Sequence, residues 1–141
     1  GHGRAKVDSH LDLPKIRASM DELSKSDFAV FKGLNDIPLG MTAHVLYEKL
    51  DNEFPATHSK KIIQIIRNKI KFKNIIMSDD ISMKSLKSSI EVNTLRAFNA
   101  GCDIVLHCNG NIKEMSDVAI NSPLISKFII KKTSQFYKII S

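Results

Sequence analysis

Residues 74–83 read NIIMSDDISM, a short continuous apolar run that ends on two adjacent carboxylates. A run of this length without polar alternation fits a strand of a parallel sheet covered on both faces, here Asn74 to Ser78. Two similar runs flank it, Met41 to Leu46 (MTAHVL) and Asp103 to His107 (DIVLH). Their centres are spaced about 33 and about 29 residues apart, the length of a βα unit. Helical patterns fill the gaps. Ser59 is placed to cap a helix whose Ile62, Ile63, Ile66 and Ile70 share one face. A second helix runs from about Ser89 to Ala100, with Val92, Leu95 and Phe98 on one face and Gly101 as its stop. A third spans Ile112 to Ile120, and Pro123 then punctuates before a last apolar-basic segment to Ile140. Upstream, residues 1–12 read as loop, Ser19 to Ser26 as a short helix and Asn35 to Gly40 as a turn. The expectation is an α/β chain of roughly three and a half βα units.

Composition sets the class. The chain has 141 residues, 43% apolar and 26% charged, enough for one domain and too apolar for a disordered chain. Every Ile-rich run is broken by Lys, Arg or Asn before it reaches membrane-spanning length, and no secretory signal opens the sequence. The formal net charge of +6 rests on seventeen lysines against four arginines. The lysines are scattered rather than gathered with aromatics on a stripe, so nucleic acid is not the expected partner. Arg67 to Lys73 reads as a solvated helix end. Cys102 and Cys108, at opposite ends of an extended segment, are too far apart for a disulfide and match no zinc spacing.

Chemistry-bearing residues gather where parallel strands end. His44 lies near the end of the first strand, Asp79 directly after the second, and His107 with Asn109 at the end of the third. Two adjacent carboxylates repel each other, which marks Asp79-Asp80 for use. Asp79, nearest the strand, is the candidate for chemistry, and Asp80 or Ser82 suits the cap of a following helix. The opening loop, GHGRAKVDSH, puts Asp8 two residues before His10. A carboxylate so placed can orient the imidazole and favour its protonated form, giving an acid/base to set beside a carboxylate nucleophile. A metal site through His2, His10, His44 and His107 has no H-x-H or H-E-x-x-H spacing behind it, and neither metal nor cofactor is expected.

At these residues the chain resembles the bacterial β-N-acetylglucosaminidases (β-hexosaminidases) of glycoside hydrolase family 3, the single-domain type used in peptidoglycan recycling. The stretches that carry the likeness are GHGRAKVDSHLDLP (1–14), DELSKSDFAVFKGL (21–34), MTAHVLYEKLDNEFPATHS (41–59), IIMSDDISM (75–83) and NTLRAFNAGCDIVLHCNG (93–110). The resemblance implies part of a TIM (β/α)8 barrel: a catalytic loop and connecting helix over 1–40, and the last three βα units over 41–141. It also implies a retaining mechanism on terminal N-acetyl-β-D-glucosaminyl residues. Asp79 would be the nucleophile that forms a covalent glycosyl intermediate, His10 the general acid/base and Asp8 its orienting partner. His2, His44 and Asn109 would shape the sugar site.

The family's loop is preceded by a Lys-His-x-Pro segment and by earlier barrel strands, which this sequence does not contain. The expected partners are therefore an N-acetylglucosamine-containing saccharide and a separately encoded N-terminal half-barrel, in the cytoplasm, with neither nucleic acid nor membrane. Two other readings stay open, a non-catalytic remnant of a split or decayed gene and a sugar-binding half-barrel module.

Overall fold

A computed structural model of the chain describes residues 3–140. Its centre is a sheet of three parallel strands in the order β2 (Leu39–Met41), β4 (Ile75–Asp80), β5 (Ile104–Leu106). Helix α3 (Lys60–Asn68) connects β2 to β4, α4 (Ile90–Ala100) connects β4 to β5, and α5 (Ile112–Ile120) follows. This is the βα repeat from which the expected partial barrel would be built. Ile75 and Ile76 of β4 are each 1% exposed, so the central strand is covered on both faces.

The helix ends follow their sequence signals. The Ser59 side chain accepts the Ile62 N–H at the start of α3, and Ser89 does the same for Val92 in α4. Gly101 ends α4 at φ 112°, a left-handed conformation that costs glycine least. Helix α1 (Met20–Lys25) opens with a reciprocal cap between Ser19 and Glu22, and α2 (Asp27–Lys32) follows it. The apolar-basic segment forms α6 (Lys127–Ile140).

Four expectations are corrected. The run from Met41 to Leu46 is not one strand. Its sheet pairing begins earlier, at Leu39, so the division after residue 40 falls inside β2. Beyond Met41 the backbone turns, with the Val45 N–H donating to the Ala43 carbonyl at 2.9 Å. Leu46 and Tyr47 then form β3, paired in parallel with β1 (Lys15–Ile16). The Thr42 N–H still donates to the Met77 carbonyl at 2.9 Å, and Thr57 Oγ1 lies 2.9 Å from Thr42 Oγ1 and 2.8 Å from His44 Nδ1, so side-chain contacts accompany the turn that follows.

On α4 the buried residues are Asn93, Thr94, Ala97 and Ala100, while Val92 and Leu95 face outward. Small residues let the helix approach the sheet, and Asn93 Nδ2 is satisfied by the carbonyls of Ile81 and Ser88. No helix starts at Asp80 or Ser82, because α4 begins at Ile90 under its own cap. Arg67 is not a solvated helix end. Its guanidinium donates to the carbonyls of Phe72 and Asn74 and, at 2.6 Å, to Asp103 Oδ2. That same carboxylate oxygen accepts the Ile76 N–H, so one ion pair ties α3 to the starts of β4 and β5.

Cys102 is buried, Cys108 exposed, and both are free thiols. Among the described residues no helix is long and apolar enough to cross a membrane, and no three potential ligands gather for a metal.

Candidate active site

Strand β4 carries both carboxylates within its last two residues. Pairing with β5 runs Met77 to Ile104 and then Asp80 to Leu106, so β4 holds an extra residue between the two pairs. An extra residue bends the strand and re-aims a side chain, a device common beside active sites. Ser78 Oγ stabilises the irregularity by accepting the Leu106 N–H at 2.9 Å.

The two carboxylates then part ways. Asp80 is a clamp: Oδ1 accepts the Ser82 N–H at 3.0 Å and the Cys108 N–H at 3.2 Å, and both oxygens accept the Ser82 hydroxyl. Asp79 is half-buried, and its Oδ1 accepts the Asp80 N–H at 2.8 Å. Among the described residues its Oδ2 makes no hydrogen bond. One oxygen fixed and one open is the arrangement a carboxylate nucleophile needs.

The opening loop holds the imidazole. Asp8 Oδ1 accepts the His10 backbone N–H at 2.9 Å and stands 2.9 Å from His10 Nδ1, with both side chains exposed. A bond at Nδ1 leaves Nε2 to face a substrate. The loop is tied down along its length. Arg4 pairs with Asp27 of α2 at 2.9 Å, and Ser9 and Pro14 are buried. The Pro14 carbonyl accepts the Leu46 N–H where β1 meets β3. Asp12 meets Lys87 at 3.5 Å in an exposed ion pair, and Lys87 lies in the segment that follows β4, so the loop runs beside the chain that leaves Asp79. Sequence reasoning missed Asp12 and Lys87, because an ion pair between distant segments has no local signature.

The remaining site expectations come out differently. His44 is fully buried, with Nδ1 on Thr57 Oγ1 and Nε2 on the Asp80 carbonyl, each at 2.8 Å. It supports the end of β4 from beneath, and both ring nitrogens are engaged by protein groups instead of facing a sugar. Asn109 is exposed at the rim, where its amide donates to Glu114 Oε2 at 2.7 Å and accepts the Asn111 N–H at 2.8 Å. The buried His107 ring meets the same Glu114 oxygen at 2.7 Å. These bonds, His107 first and Asn109 second, hold the Glu114 carboxyl below its ordinary range. His2 lies outside the described residues. Cys108 stands at this rim too: partial burial, then the Asp80 and Asp79 charges, pushes its thiol pKa up. Its place directly after the third apolar run was the signal that could have revealed it.

Comparison with known proteins gives a concordant result. Residues 1–133 match the profile described as the Glycosyl hydrolase family 3 N terminal domain. A β-hexosaminidase of Methylobacillus flagellatus is 39% identical over 114 residues, covering 77% of this chain and 32% of that protein. NagZ from Neisseria gonorrhoeae, solved in complex with N-trifluoroacetyl-D-glucosamine, is 34% identical with a TM-score of 0.81. That likeness covers 95% of this chain and 39% of the NagZ chain. CbsA from Thermotoga neapolitana is 28% identical with a TM-score of 0.81, covering 100% of this chain and 36% of its own. The chain thus spans about a third of the length of the curated relatives it matches.

Proposed function

The chain belongs to the family of the glycosyl hydrolase family 3 N-terminal domain, and from that premise we propose that it carries the reacting groups of a retaining β-N-acetylglucosaminidase. The chain before β2 supplies the catalytic loop and connecting helices, and the chain from Leu39 onward supplies the βα units beneath them. Asp79 Oδ2 attacks the anomeric carbon of a terminal N-acetyl-β-D-glucosaminyl residue while His10, protonated, gives its Nε2 proton to the leaving oxygen. Water then takes the sugar from Asp79 as His10 takes the proton back. The imidazole stands in for the second carboxylate of most retaining glycosidases. Asp8 positions the ring, and His44 positions Asp79 by holding the neighbouring Asp80 carbonyl.

One observation carries this reading: the Asp8–His10 contact sits in a loop that Asp12 and Lys87 bring beside the segment that follows Asp79. The saccharide is of peptidoglycan origin, a muropeptide bearing N-acetylglucosamine, and barrel strands outside the stretch matched here complete its pocket. Two free thiols suit a cytoplasmic setting.

The test is to co-express the chain with a polypeptide that supplies those strands and to measure release of an aryl N-acetyl-β-D-glucosaminide. Asp79→Asn is expected to lower turnover by about 10³-fold or more. His10→Ala should lose less on an aryl leaving group that departs without a proton. An Asp79→Asn complex as active as the parent would refute the assignment.

A further inference from the structure

Thr57 is fully buried in a short 3₁₀ turn (Ala56–His58), and its hydroxyl stands in the middle of a polar chain that ends on the Asp80 backbone. The turn is held beside the connection between β2 and β3, where the Ala56 N–H donates to the Val45 carbonyl at 2.8 Å. From the other side, the Cys102 thiol donates to the Thr57 carbonyl at 3.7 Å. Thr57 Oγ1 then lies 2.9 Å from Thr42 Oγ1 and 2.8 Å from His44 Nδ1, and His44 Nε2 lies 2.8 Å from the Asp80 carbonyl oxygen. Thr42, His44 and Thr57 are all buried, so these contacts decide where the protons sit.

Donor and acceptor chemistry gives the chain one direction. A carbonyl oxygen can only accept, so His44 Nε2 carries a proton. The hydroxyl and the carbonyl that this enclosed ring meets are uncharged groups, which favours the uncharged imidazole at neutral pH. Nδ1 therefore accepts, and Thr57 donates to it. A hydroxyl has one proton, so Thr57 receives the Thr42 O–H instead of donating to Thr42. The Ala43 carbonyl, 3.4 Å from Thr57 Oγ1, is too distant to take that proton from His44.

The chain ends at the site. The Asp80 carbonyl is held by His44 and by the Met83 N–H at 3.2 Å, and its carboxylate by the Ser82 and Cys108 N–H groups. Its own N–H, so fixed, donates to Asp79 Oδ1 at 2.8 Å. We propose that Thr57 is a positioning residue for Asp79. Its hydroxyl sets the tautomer and orientation of the His44 ring, the ring holds Asp80, and Asp80 presents its N–H to the Asp79 carboxylate. The catalytic meaning of this role rests on Asp79 as the nucleophile.

The test is NMR of the full 141-residue chain with isotope-labelled histidine at neutral pH. The parent is expected to show His44 protonated on Nε2, with Nδ1 hydrogen-bonded and the ring proton protected from solvent exchange. Thr57→Val, close in shape without the hydroxyl, should move the Nδ1 signal toward that of an unbonded nitrogen and speed ring-proton exchange at least about tenfold. It should also shrink, at least about twofold, the part of the Asp80 amide pH titration that Asp79→Asn abolishes. Thr57→Ser keeps the hydroxyl and should restore both signals, and Thr42→Val should leave the His44 tautomer unchanged. A parent ring protonated on Nδ1 overturns the proposal. So does a Thr57→Val chain with both signals unchanged, or a Thr57→Ser chain that behaves like it in losing them. If Thr57→Val does not fold, Thr57→Ala and the parent ring signature decide. These signals need no turnover, so their failure removes the role of Thr57 alone, whereas a fully active Asp79→Asn complex removes the nucleophile reading.

Discussion

The described histidines show how completely partners decide what an imidazole does. His10, exposed, keeps one nitrogen beside Asp8, whereas His44 is buried with both engaged. The Asp8–His10 pair was legible in the sequence because its contact spans two residues. His44 and Asn109 were not, because what they face is set by Thr57, Asp80 and Glu114, which only the fold brings near. His58 carries the clearest consequence for stability. Burial first, then the His44 and Arg96 charges, lowers its pKa from 6.5 to about 4. The unfolded chain therefore takes up a proton below about pH 6.5 that the folded chain refuses until about pH 4. The contribution of His58 is thus complete above that window and is lost as pH falls through it. The whole span is worth on the order of 3 kcal/mol. In denaturant melts, His58→Phe should flatten the fall in stability between pH 6.5 and 4 relative to the parent. An equally steep fall in the variant would remove His58 as its cause.

At the scale of the element, signals that act within one turn of chain were readable. Ser59, Ser89 and Gly101 bound α3 and α4 where capping chemistry puts them. Properties that depend on what lies opposite were not. Of the apolar face of α4 read from sequence, Val92 and Leu95 point outward, and the buried face carries Asn93, Thr94, Ala97 and Ala100 instead. The run MTAHVL divides between two pairings, β2 with β4 and β3 with β1, and the Thr57 hydroxyl that meets Thr42 and His44 at the break lies 15 and 13 residues along the chain. Gly101 joins both kinds of constraint. Its φ of 112° disfavours any side chain, and an added Cβ would stand 3.0 Å from Ile63 Cγ2 on α3. Gly101→Ala should therefore cost about 1–2 kcal/mol from backbone conformation alone, with crowding of Ile63 on top. A thermal melt within about 0.3 kcal/mol of the parent would show that the α4–β5 turn relaxes freely.

Across the whole molecule, the sheet is well covered at its centre and open at its sides. Among the described residues, β2 and β5 each have one hydrogen-bonded neighbour in this sheet, so each presents an unpaired edge. The helical layer repeats the pattern: Ile112 is 82% exposed, Ile120 78%, and Leu124, between α5 and α6, 96%. Apolar surface of this extent marks an interaction face or a liability to self-association, and the open edges add to it. These side chains contribute little to the fold because they are already in water. Replacing Ile112 and Ile120 with Lys should therefore leave the melting free energy within about 0.5 kcal/mol of the parent. The same pair should reduce concentration-dependent association in sedimentation velocity, since two charges now stand on the face that associates. If association is unchanged while the fold is intact, the sheet edges rather than the α5 face drive it. Charges placed on β2 would then be the substitutions that suppress it.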